Sequence, residues 1–97
     1  MIKVVCSKDN KNITISGHAL YDDYGKDIVC ASVTSIVTTT INAILSFDND
    51  AIYYEAISGK IVIEVKKDTR ETRILIRNMM NLLTELSETY KKNIKIC

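Results

Sequence analysis

The chain has 97 residues, 13 Lys and Arg against 12 Asp and Glu, and a formal net charge of +1. That length fits one domain, 1–97, with one modest core. The mixed charge gives no general electrostatic reason to bind nucleic acid or a membrane surface, so neither partner is expected. Hydrophobic residues make up 46% and proline is absent, which excludes a Pro-rich linker.

Ile2 to Ser7 alternates and predicts a first strand, with Val4 and Cys6 on one face. A polar turn over 8–12 leads to a second strand, Ile13 to Ser16, so the pair predicts a hairpin. The opening residues MIKVVCSK lack the long apolar core of a signal peptide. No apolar run is read as membrane-spanning.

Gly17 ends the second strand, and His18, the only histidine, follows it. The segment 19–26 is long for a strand-to-helix connection and carries Leu20, Tyr21, Asp22, Asp23 and Tyr24. Two readings stand: an ordinary surface loop, or a gate whose Leu20, Tyr21 and Tyr24 contact substrate. Asp27 has N-cap chemistry, and helical spacing starts at Ile28. Cys30 then falls at the third helical position. Unpaired N–H groups and the positive end of the helix dipole favour an anion there, so a thiolate is favoured. Those N–H groups could also bind an oxyanion. His18 at a neighbouring strand end could serve as its general base and acid.

At these residues the chain resembles a known family. GHA at 17–19, an acidic Tyr- and Gly-containing loop, and DIVCASVT at 27–34 are similar to the ribosomal-processing cysteine proteases of Firmicutes and mollicutes. The resemblance places His18 and Cys30 on the catalytic pair, with Gly17 and Asp27 on flanking motif positions. Ser32 stands where Ala is usual, and Thr34, a supporting position, stands where Ser is usual. The resemblance implies a cysteine endopeptidase that removes the N-terminal extension of a large-subunit ribosomal protein precursor of the L-twenty-seven family. It also implies a homodimer and a loop that moves when substrate binds. Asp27 could cap the helix or orient His18.

From Ile28 to about Phe47 the apolar stripe is Val29, Val33, Ile36, Val37, Ile41, Ile44 and Phe47. It predicts a central, mostly buried helix despite the β-branched Thr38, Thr39 and Thr40. Ala51 to Ile57 and Lys60 to Lys67 predict two strands joined at Ser58–Gly59. Asp68, with Glu71 three residues on, predicts a capped last helix with a stripe of Ile74, Leu75, Met79, Leu82, Leu83, Leu86 and Tyr90. Ile94 to Ile96 predicts a short final strand. The expected fold is α+β, in ββαββαβ order, an antiparallel-rich mixed sheet with two helices packed on it. The Met79–Met80 and Tyr53–Tyr54 pairs are read as core or interface packing rather than ligand contacts.

The three cysteines, Cys6, Cys30 and Cys97, are far apart, form no CxxC and accompany a single histidine. No metal and no cofactor is expected. Reduced thiols imply a cytoplasmic protein. Two other functions remain open from the residues alone. One is a non-enzymatic, ribosome-associated binding module with a structural Cys/His pair. The other is a redox-sensing thiol, for which no resolving cysteine is in view.

Overall fold

The structure is a computed structural model that describes residues 1–18 and 27–97. The described elements are β1 (Ile2–Cys6), β2 (Asn12–Ser16), α1 (Ile28–Phe47), β3 (Ile52–Ile57), β4 (Lys60–Val65), α2 (Arg70–Thr89) and β5 (Ile94–Ile96). Five strands form one sheet in the order β3-β4-β2-β1-β5. All pairings are antiparallel except β1 with β5. The expected α+β class, element order and mixed sheet are all present. Parallel pairing places the last strand beside the first, where Ile2 N–H donates to Asn93 O and Cys97 N–H to Val4 O.

Alternation sets which face is covered. In β1, Ile2 and Val4 are buried while Lys3 and Val5 are exposed. Ile13, Ile15 and Ile63 turn the same way, and Val29, Val33, Val37, Ile41 and Ile44 of α1 meet them. Burying each such side chain stabilises the fold by about 1.5–3 kcal/mol. Both helices therefore serve one face and leave the other to solvent. Length and a mean hydropathy of 1.8 would alone let α1 cross a membrane, contrary to the reading that no run qualifies. Its buried stripe packs on the sheet instead.

Several expectations are corrected. α1 is not mostly buried: Ile28, Thr34, Thr38 and Thr39 are exposed, and Phe47 at the helix end is half exposed. The sheet lies under one side only, so the apolar circumference exceeds what it can cover. Thr40 is tolerated inside because its hydroxyl donates to Ile36 O one turn back. α2 is capped by Thr69, whose Oγ1 accepts from Thr72 N–H at 3.3 Å, not by Asp68. Asp68 is occupied by Lys11 at 3.7 Å and Arg73 at 3.5 Å. The α2 stripe is also rotated. Ile76, Met79, Met80 and Leu83 are buried, whereas Ile74 and Leu82 are exposed. Met79 and Met80 lie in the core, as read, while Tyr53 and Tyr54 sit half exposed on the edge strand β3, which leaves the interface half of their reading. Strand ends shift by one or two residues: β1 stops at Cys6 and β4 at Val65.

Candidate active site

α1 starts where Asp27 ends the approach. Asp27 Oδ1 accepts from Val29 N–H and Cys30 N–H, each at 3.0 Å, and Asp27 O accepts from Ala31 N–H. Cys30 is thus the third residue of the first turn, held by its own main chain. This arrangement corrects one expectation. The N–H groups of Val29 and Cys30 are taken by a carboxylate, so they do not stand open for an oxyanion.

His18 follows β2. The strand is anchored by β4 through five registered pairs, ending at Ser16 opposite Lys60. Gly17 leaves the ladder with φ of 92°, a left-handed conformation that suits glycine. A Cβ there would collide with the carbonyl oxygen of Met1. Its N–H donates to Gly59 O at 2.9 Å.

These two approaches converge. A cleft of about 290 Å³ is lined by His18 and Gly17 from one side and by Cys30, Val33 and Thr34 of α1 from the other. Its floor is apolar, with Ile2, Ile15 and Ile61 from three adjacent strands and Ala56 from the edge. His18 is exposed and Cys30 half-buried, so a bound molecule can reach both. A thiol, an imidazole and an apolar trough in one cleft can support acyl transfer from a peptide carbonyl.

Of the sequence-selected residues, the fold brings Gly17, His18, Cys30 and Thr34 to this cleft, and Asp27 to the helix cap beside it. Leu20, Tyr21 and Tyr24 lie outside the described residues. Sequence reasoning missed the β3–β4 hairpin as a wall: Ala56, Ile57, Gly59, Lys60 and Ile61 all line the cleft. The Ser58–Gly59 turn was legible as a turn, but only the β2–β4 pairing shows that it stands beside His18. Among the described residues no group of three or more His, Cys, Asp or Glu side chains could hold a metal ion. A smaller cavity of about 130 Å³ near Lys11, Asp68 and Arg73 carries charges of both signs and is lined by neither a cysteine nor a histidine.

Comparison with known proteins places this geometry. The family model for the cysteine protease Prp matches residues 1–95. The ribosomal processing cysteine protease Prp of Staphylococcus aureus is 28% identical over 88 residues, covering 88% of this chain and 83% of the relative. Its namesake from Bacillus subtilis is 24% identical over 92 residues, covering 84% and 80%. Two crystal structures of the S. aureus ribosomal processing protease Prp share the fold. The one with a covalently linked product peptide gives a TM-score of 0.85 at 24% identity, covering 98% of this chain and 94% of that one. The one with a substrate peptide gives 0.80 at 22%, covering 99% and 95%.

Proposed function

We propose, from the premise that the chain belongs to the cysteine protease Prp family, that it is a ribosomal-processing endopeptidase. Its substrate is the precursor of a large-subunit ribosomal protein of the L-twenty-seven family, from which it removes the N-terminal extension. The observation that carries the reading is the meeting of His18 and Cys30 in one apolar cleft. The relatives named as ribosomal processing proteases support the substrate class.

In this reading the Cys30 sulfur attacks the scissile carbonyl carbon, and His18 takes the thiol proton. The carbon–nitrogen bond then breaks, His18 protonates the departing amine, and a thioester remains on Cys30. Water, deprotonated by His18, hydrolyses the thioester and releases the acid. With Val29 and Cys30 N–H engaged by Asp27, the Ile28 N–H is the remaining first-turn donor for the oxyanion. Ile15, Ile61 and Ala56 suit apolar side chains next to the cut. Leu20, Tyr21 and Tyr24 are assigned to substrate binding on the sequence alone.

The protein acts in the cytoplasm and as a homodimer in this reading. The dimer is what the family resemblance implies; Val5 on the solvent face of the sheet, and Ile28 and Phe47 at opposite ends of α1, are each about half exposed. Light scattering on the purified chain measures its mass directly, and a monomer at working concentration removes the dimer from the reading.

The direct test is a cleavage assay. Purified protein and its Cys30→Ala variant are mixed with the extended precursor, and products are read by mass. One cut, made by wild type and lost in the variant, is the expected result. Cleavage by the variant, or none by either, overturns the assignment of Cys30.

A further inference from the structure

We propose that the Ser58–Gly59 turn of the β3–β4 hairpin is the positioning element for His18, so that Gly59 sets where the imidazole stands in the cleft. The inference rests on the reading of His18 as the proton-transfer partner of Cys30 and adds a residue that reading did not contain.

Three observations carry it. First, the residue before His18 is tied to the turn, since Gly17 N–H donates to Gly59 O at 2.9 Å. Second, the turn approaches the ring itself. A Cβ added at Gly59 would lie 3.5 Å from His18 Nε2, the one atom within 4 Å of it among the described residues other than Gly59 and its chain neighbours. Third, among the described residues His18 makes no ion pair and no hydrogen bond of its own. In Ser-His-Asp hydrolases a carboxylate holds the imidazole. Among the described residues, what stands beside the ring is a hairpin fixed to β2 by the register Ser16 opposite Lys60 and Ile15 opposite Ile61.

The geometry gives glycine two separate duties at position 59. Its φ of 74° is the left-handed conformation required by the turn. Its missing side chain leaves the space beside Nε2 open. Asn also tolerates this φ, so Gly59→Asn separates the two. It retains the turn and fills the space beside Nε2, which displaces the imidazole across the cleft.

The test does not depend on knowing the substrate. In a Cys6→Ser, Cys97→Ser background, Cys30 is the only thiol, and its alkylation by iodoacetamide is followed against pH. The variants are His18→Ala, Gly59→Asn and Gly59→Ala, each with its thermal unfolding midpoint. The expected result is that His18→Ala changes the shape of the pH–rate profile. Gly59→Asn then changes it in the same sense, by at least about fivefold in rate near neutral pH, while unfolding within a few degrees of wild type. A merely structural turn residue would lower the midpoint and leave the profile alone. If His18→Ala alters the profile and Gly59→Asn does not, the positioning role is wrong and the pair stands. If His18→Ala leaves the profile unchanged, the pair itself fails, and the positioning role with it. A second measurement needs no variant. His18 is the only histidine, so its ring protons are readily assigned by NMR. A nuclear Overhauser contact between them and the Gly59 α-protons is expected in the wild-type protein, and its absence overturns the proposal.

Discussion

Cys30 N–H and Val29 N–H share a single acceptor, Asp27 Oδ1, at 3.0 Å each. The bond between Asp27 and Cys30 therefore starts the helix and places the sulfur in its first turn at once. A cap of this kind contributes about 0.5–2 kcal/mol. Asp27→Ala should lower the unfolding midpoint by about 4–8 °C per kcal/mol lost. Asp27→Asn keeps an oxygen acceptor and should unfold within a few degrees of wild type. Kinetics on the same two proteins separate the roles left open by the sequence. If Asp27 only caps, the Asn variant cleaves at close to the wild-type rate; if its charge orients His18, kcat falls by orders of magnitude with the midpoint unchanged.

Thr34 lies one turn beyond Cys30, exposed on the cleft wall. Thr34→Val keeps the shape and deletes the hydroxyl. If that hydroxyl bonds the substrate, the loss of a neutral hydrogen bond of about 1 kcal/mol should raise KM roughly fivefold and leave the midpoint unchanged. Thr34→Ser should restore wild-type KM. An unchanged KM in the Val variant limits Thr34 to lining the wall.

The rotation of the α2 stripe is open to the same kind of check. Leu83 is fully buried, whereas Ile74 is 47% exposed. Leu83→Ala should cost about 2–5 kcal/mol, a large share of a small domain's total stability. Ile74→Ala should cost under about 1 kcal/mol. Denaturant midpoints at constant m-value read both, and equal costs would return Ile74 to the core.

Why the strands and helices were legible, while some of their contacts were not, follows from range. Period-two alternation in Val4 and Cys6, or in Ile61, Ile63 and Val65, is local, as is the Asp27 cap; each reads directly from neighbours in sequence. The α2 cap was misplaced because Asp68 and Thr69 are both good caps. In the fold Thr69 takes the cap, while Asp68 faces Lys11 of the β1–β2 turn and Arg73, and the Lys11 approach is long-range in sequence. The exposure of Ile74 depends on how α2 lies over β5 and α1, which periodicity does not specify. The parallel β1–β5 pairing and the approach of Gly59 to His18 are long-range, so no window of sequence contains both partners. At the site, the two reactive residues were legible because a glycine, a cap and a family motif flank them; the hairpin wall carries no such local mark.

Two carboxylates, Asp9 exposed and Asp48 partly exposed, give a pH prediction whose sign can be worked out. Asp9 is held below its ordinary value of 3.8, chiefly by the Ser7 hydroxyl, which donates to Oδ1 at 2.6 Å, and then by Lys11 N–H. Asp48 is also lowered, first by Asp50 N–H at 2.9 Å and also by the Lys67 ammonium at 3.3 Å. Each group is therefore more acidic folded than unfolded, and the unfolded chain binds more protons as pH falls. Their contribution is fully present above the unfolded value near 3.8 and is lost as pH drops through the lower folded values. The unfolding midpoint should accordingly fall below about pH 4. Asn cannot titrate, so Asp9→Asn and Asp48→Asn should each flatten that acid limb and lower the midpoint at pH 7 by a matching small amount, solvent screening keeping each contribution small. Because Asp9 sits in the β1–β2 turn and Asp48 at the end of α1, the two effects should add in the double variant. An acid limb as steep in the double variant as in wild type would assign acid sensitivity to other carboxylates.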